Sequence, residues 1–106
     1  MLPKKYRLPI QGVVGRKSRF TKKSDIFLLK FFNSTLPHCR FGIIVSKQVA
    51  AKAVERNQIK RSIFQALQTY ITMIPSMDVL IIVSSAIKRV PKAEIILQLE
   101  QCFKNV

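Results

Sequence analysis

Residues Phe41 to Phe64 read FGIIVSKQVAAKAVERNQIKRSIF, an apolar run that passes through a basic linker into a segment carrying Arg56, Asn57, Lys60 and Arg61. The first part, FGIIVSK, predicts a strand, and Gly42 within it marks a bulge or the close approach of another backbone. From about Ala51 to Thr72 the residues Ile59, Ile63, Ala66, Leu67, Tyr70 and Ile71 recur at the spacing of an amphipathic helix packed on a sheet. At roughly 100° per residue, Arg56 falls near the azimuth of Ile63 and Leu67, so one side of this helix turns from polar to apolar along its length. Its first turns are therefore expected to overhang the sheet or line a cleft. Three guanidinium and ammonium groups between Arg56 and Arg61 repel one another unless something anionic compensates them, and phosphate is the obvious candidate.

On the N-terminal side, Arg19 to Thr21 and Asp25 to Phe32 are rich in Phe, Ile and Leu, and the polar Lys22 to Ser24 between them predicts a hairpin. Asn33 to Pro37 is the next turn. Residues 1–7 read as a flexible basic leader, and Leu8, Ile10, Val13 and Val14 as a short helical turn weakened by Pro9, Gly12 and Gly15. On the C-terminal side, Pro75 is expected to end the long helix. Asp78 to Ser84, DVLIIVS, is apolar on both faces and so predicts a central strand. A helix over Pro91 to Lys104, with Pro91 in its first turn, follows from Ile95, Ile96, Leu99 and Phe103.

The chain has 19 Lys and Arg against 5 Asp and Glu in 106 residues, a formal charge of +14 that points to a polyanionic partner. Residues 1–61 hold 15 of the bases and two of the acids, so the first part is +13 and the rest +1. Because Lys47, Lys52, Arg56, Lys60 and Arg61 are interleaved with Val, Ala and Ile, this is a folded basic face more than a disordered arm. With 48% hydrophobic residues, residues 1–106 are read as one RNA-binding domain with one core. The apolar runs Ile26 to Phe32 and Val79 to Val83 are far shorter than the roughly 20 residues of a membrane span, so no membrane is expected and the location is expected to be cytoplasmic. Cys39 and Cys102 are expected as free thiols.

The segment VSKQVAAKAVERNQIKR resembles the signature of the bacterial ribonuclease P protein component, in which a V-S-K strand leads through a K-A-V-type linker to an R-N-R-x-K-R helix. Arg7 with Leu8, the RFGIIVSK strand and the DVLIIV strand occur in the family's order, so the resemblance covers nearly the whole chain. It implies a mixed α/β fold, an α+β two-layer sandwich of order αβββαβα like the second domain of a ribosomal small-subunit protein, with a left-handed βαβ crossover. It also implies a function: the protein subunit of a ribonucleoprotein endonuclease that removes the 5′ leader of precursor tRNA, in which a large RNA carries the chemistry. The implied partners are that catalytic RNA, in a 1:1 complex, and precursor tRNA. Mg²⁺ is expected to be bound mainly by the RNA, with none held by protein groups.

Carried over by position, Arg56, Asn57, Lys60 and Arg61 match the family's R-N-x-x-K-R, and Lys47 matches the lysine closing its V-S-K strand. With Lys52 they are assigned to the catalytic RNA. Arg offers a planar fork, Lys a point charge, and Asn57 both donors and an acceptor. Phe20, Phe27 and Ile44 are expected at the floor of a cleft for the single-stranded leader, since aromatic faces stack on bases without demanding a sequence. At most one of Phe27, Phe31 and Phe32 is expected to face that cleft. Gln58, Phe64, Gln65, Ile10, Val14 and Ser84 depart from the family's pattern.

The alternative function is an RNA-binding protein of ribosomal or RNA-chaperone type, with the same basic face and no need of a cleft. A self-sufficient nuclease is disfavoured because Asp25, Glu55, Asp78, Glu94 and Glu100 fall on separate elements, with no motif pairing them around a metal ion.

Overall fold

The computed structural model describes residues 3–13, 15–71, 73–74 and 76–104. The strands are β1 (Phe20–Lys23), β2 (Phe27–Asn33), β3 (Arg40–Ile44) and β4 (Met77–Val83), and the helices are α1 (Ala53–Leu67) and α2 (Lys92–Phe103). All four strands form one sheet in the order β1-β2-β4-β3. Strand β4 is central, as its two apolar faces require, with β2 antiparallel on one side and β3 parallel on the other. A parallel neighbour cannot be reached by a tight turn, so the chain between β3 and β4 makes a crossover and α1 is its helix.

Side chains alternate between the two faces of a strand, and the register sorts them. Phe20, Phe31, Val79 and Phe41 lie in one row across the sheet, and Leu29, Ile81 and Ile43 in another. These rows pack with Ile63, Phe64 and Leu67 of α1 and Leu99, Cys102 and Phe103 of α2 into the main core. Phe103 sits edge-on to Phe31 and Phe41, with ring centroids 6.1 and 5.9 Å away. Both cysteines are free and buried, and burial pushes both thiols up. Helix α1 stops at Leu67, short of the expected Thr72, and the chain continues in turns in which the amides of Met73 and Ile74 donate to the Tyr70 carbonyl. Thr69 and Ile71 are β-branched and support a helix poorly where packing no longer demands one. Thr72, Pro75 and Val14 lie outside the described residues.

The short helical turn expected near Ile10 is present as a 3-10 turn, Ile10–Gly12, with another at Lys4–Tyr6, and it does not extend into the opening α-helix that the order αβββαβα implies. Pro9 lacks an amide proton and Gly15 adopts φ 81°, so neither propagates a helix. Nor are the described residues of the 1–7 segment a frayed leader. Arg7 bridges in parallel to Phe41, the Leu8 amide donates to the Phe41 carbonyl at 2.8 Å, and His38 Nε2 pairs with the Lys5 carbonyl at 2.8 Å. The close backbone approach expected at Gly42 is this segment, since a Cβ built there would stand 3.2 Å from the Leu8 carbonyl oxygen. Gly42→Val is expected to displace Leu8 from the β3 edge and lower stability by about 1–3 kcal/mol, measured by denaturant unfolding.

Candidate nucleic-acid interface

Two surfaces stand out, one on each side of the sheet. The first is the N-terminal half of α1 with the turn that precedes it. Lys47, Lys52, Asn57 and Arg61 are exposed, and Lys60 and Arg56 are half-buried. Arg56 and Lys60, and likewise Asn57 and Arg61, are four apart and so neighbours on the helix surface. Lys52 caps the helix without a side-chain cap bond, and Glu55 is the sole acid of the first turn. The cations therefore add to the positive end of the helix dipole instead of offsetting it. Phe64 and Gln65 part company here: Phe64 is buried in the core and Gln65 is exposed.

Arg56 has a role the sequence did not disclose. Its Nη1 donates to the carbonyls of Ala50 and Ala51 at 3.0 and 2.8 Å. This follows from its azimuth: it points along the packing side of α1, where the linker from β3 folds back. Ser46 accepts from the amides of Val49 and Ala50, so the segment from Ser46 to Lys52 is a defined turn with Arg56 as its clasp.

The second surface is the face of the sheet that carries neither helix. Its rows are Leu28, Ile82 and Ile44; Lys30, Leu80 and Gly42; and Phe32, Asp78 and Arg40. Leu8, Val13, Phe32 and Leu80 form a small second core there, with Ile44 and Ile82 packed against it. A groove of about 330 Å³ opens on this face, with Ile10, Arg16 and Lys30 among its walls and Phe32, Ile44 and Ile82 on its floor.

Of the residues expected on the floor of a cleft, Ile44 lines this groove, whereas Phe20 and Phe27 lie on the other face of the sheet. Phe27 belongs to the main core on the helix side of the sheet, and Phe20 stacks on Phe31 at 4.6 Å on that same side. The aromatic on the other face is Phe32, buried in the small second core with the Arg16 guanidinium 5.2 Å above its ring centroid. Lys30 and Arg16 were not singled out from the sequence. Lys30 could have been found, because a lysine between Leu29 and Phe31 in a strand must share a face with Leu28 and Phe32. Ile10 also lines the groove, and Ser84 caps the turn Ser85–Arg89 by accepting from the Ala86 amide at 3.2 Å.

One end of the open face is closed by an ionic cluster. Asp78 is 1% exposed; Arg40 donates to both of its oxygens, at 2.9 and 2.8 Å, and Arg16 donates to Oδ2 at 3.2 Å. Burial alone would raise the Asp78 pKa, but these hydrogen bonds and charges hold it below the ordinary 3.8. Asp78 is committed to two guanidinium groups, and no group of three His, Cys, Asp or Glu converges among the described residues. No helix is long and apolar enough to cross a membrane among the described residues.

A cationic crossover helix on one side and an apolar, cation-edged groove on the other define a small, strongly basic α+β protein with two unlike surfaces. The family model described as Ribonuclease P matches residues 3–106, and the chain belongs to that family. It is similar to the ribonuclease P protein components of Idiomarina loihiensis, 42% identical over 52 residues (49% of this chain, 42% of that one), and of Pseudoalteromonas atlantica, 29% over 70 residues (66% and 58%). The matched stretch is about half the length of these curated relatives. Among solved structures, a Staphylococcus aureus RNase P protein mutant with defective mRNA degradation activity has a TM-score of 0.86 at 30% identity, covering 95% of this chain and 87% of that one.

The ionic cluster makes a test of the face it closes. A carboxylate whose folded pKa is depressed contributes stability in full above its ordinary value and loses it as pH falls through the depressed one. Asp78→Asn is expected to cost about 2 kcal/mol at neutral pH, below the roughly 3–5 of a fully buried pair because both guanidinium groups reach water. Unfolding curves should show the deficit shrinking below about pH 4.

Proposed function

We propose that this chain is the protein subunit of a ribonuclease P particle, binding the catalytic RNA through α1 and the 5′ leader of precursor tRNA on the open sheet face. The observation that carries this reading is the pairing of two unlike surfaces on opposite sides of one sheet. A generic RNA binder of ribosomal or chaperone type needs the cationic helix alone and gives no reason for a second, apolar-floored groove with Lys30 and Arg16 at its walls.

The two surfaces suit different RNA. Lys47, Lys52, Lys60 and Arg61 present charge around a single large exposed apolar side chain, Val54, which fits the phosphates of a structured RNA. Asn57 adds donors and an acceptor, and Arg56 holds the Ser46–Lys52 turn in shape for Lys47 and Lys52 to act from. On the open face the half-buried Ile44 and Ile82, backed by the buried Phe32 and Leu80, offer an apolar floor for unpaired bases, while Lys30 and Arg16 meet the backbone. The chemistry of strand cleavage is carried by Mg²⁺ on the RNA. The protein contributes affinity and position, one copy for each RNA, in the cytoplasm.

Cleavage of precursor tRNA at low Mg²⁺ by a catalytic RNA of this family tests the reading. The expected result is cleavage at the mature 5′ end only when RNA and protein are combined, and none by protein alone. A protein that binds RNA yet leaves cleavage unchanged would favour the generic binder. Affinity for the catalytic RNA should fall steeply with salt, and Lys60→Ala with Arg61→Ala should flatten the log–log slope by about 1.5, two phosphate contacts' worth. An unchanged slope would remove these two residues from the interface.

A further inference from the structure

The open sheet face extends past the groove onto β1, the edge strand of the sheet. Residues directly opposite each other in an antiparallel pair share a face, so Lys23 and Thr21 stand on the same side as Leu28 and Lys30. Phe20 stacks on the helix side, and alternation returns Arg19 to the open face beside Phe32, where its amide donates to the Phe31 carbonyl at 2.7 Å. Arg19, Thr21 and Lys23 are all exposed. Arg19 makes one long hydrogen bond, 3.5 Å to Asn33 Oδ1, which leaves most of its guanidinium donors to solvent. From Gly15 to Phe31 the chain holds Arg16, Lys17, Arg19, Lys22, Lys23 and Lys30 against a single acid, Asp25. Neither the α1 surface nor the groove accounts for Arg19 and Lys23.

The two flanks of the groove differ in charge. On the β1 side, each row of the face carries a cation: Lys23 beside Leu28 and Ile82, Lys30 with Thr21 beside Leu80, and Arg19 beside Phe32. On the β3 side the residues of the same face are Ile44, Gly42 and Arg40, of which Arg40 is committed to Asp78 and Gly42 is crowded by the Leu8 carbonyl. A strand of RNA in the groove therefore meets counter-charge along one flank. The interval of that charge matters as well. Successive rows are two residues apart, about 6.8 Å, which is twice the roughly 3.4 Å rise per phosphate of a stacked duplex strand. One cation per row thus matches a strand whose bases have been drawn apart, and it matches a helical stem poorly.

We propose that β1 carries the phosphates of the leader. The leader lies along the β1–β2 flank with its bases unstacked and turned inward to Ile44 and Ile82, and three consecutive phosphates meet Lys23, Lys30 and Arg19. This rests on the open face being the leader site, and it adds the side on which the backbone runs and two contact residues, Arg19 and Lys23. Thr21 supplies a hydroxyl beside Lys30. Because Arg19 and Lys23 are exposed, each contact is individually modest and weakened by salt.

The particle assembled from catalytic RNA and the full chain tests this, using precursor tRNA whose leader carries one charge-neutral methylphosphonate linkage at successive positions. In the native particle, neutral linkages at three consecutive positions are each expected to weaken binding about threefold. In the Lys23→Ala particle one of these positions is expected to become silent, in the Arg19→Ala particle a different one, and Lys23→Arg should restore the native pattern. Each alanine variant should also flatten the log–log salt slope of precursor binding by about 0.7 while leaving mature tRNA binding and assembly on the catalytic RNA unchanged. Neutral linkages without effect, or with the same effect in the native and variant particles, would overturn the proposal. An equal loss of affinity for mature tRNA would place this edge on the tRNA body, and weaker assembly would place it on the catalytic RNA; either result overturns the proposal and leaves the groove as the leader site. A native particle that binds precursor and mature tRNA equally would remove the leader reading itself, and this inference with it.

Discussion

The parallel pairing of β3 with β4 is the constraint on which the rest of the molecule depends. Five register pairs, from Arg40 with Asp78 to Ile44 with Ile82, join two strands that run the same way. Their connection has to leave the sheet, cross it and return. Helix α1 makes that crossing, and the buried Ile63, Phe64 and Leu67 anchor its second half on the sheet. Its first half is left with little apolar to pack on, which is why cations can stand there. Helix α2 covers the same face, so the opposite face keeps its rows of Leu28, Ile82 and Ile44 without a helical partner. One topological choice thus produces both surfaces.

Electrostatics then shape the open face. Asp78 is the one acid in the buried part of the sheet, and it draws Arg40 and Arg16 to one end of the groove. Without a carboxylate there, two guanidinium groups would repel each other across the strand ends. Arg16 also lies over the Phe32 ring, so the same contact that satisfies its charge fixes the aromatic of the floor. The N-terminal segment closes the second small core by placing Leu8 and Val13 beside Phe32 and Leu80. A face rimmed by cations and floored by aliphatic and aromatic groups results, in a chain whose net charge alone would have suggested a uniformly basic surface.

Much of this was legible in the sequence, for reasons that differ by element. The central position of β4 follows from a strand apolar on both faces, and α1 from the regular recurrence of Ile59, Ile63 and Leu67. The close approach at Gly42 followed from a glycine inside a strand. What was not legible was which of Phe27 and Phe32 lies on the face without a helix. Both lie in β2 and differ by five positions, so alternation puts them on opposite faces, and only the pairing with β4 and the placement of the helices says which face is covered. Arg56 was legible as a cation but not as a clasp, because its partners are backbone carbonyls, which no side-chain pattern reveals. The ordered segment from Lys4 to Leu8 was hidden for the same reason: its ties to Phe41 and His38 run largely through the main chain.

The central claim is that the helix and the open face recognise different parts of the RNA. The most direct test is the affinity of the reconstituted particle for precursor tRNA relative to mature tRNA, for the native chain, Lys30→Glu and Lys60→Glu. The account predicts that Lys30→Glu collapses the preference for a leader without impairing assembly on the catalytic RNA, and that Lys60→Glu impairs assembly while the assembled particle keeps its preference. Equal effects of both variants on both quantities would contradict it.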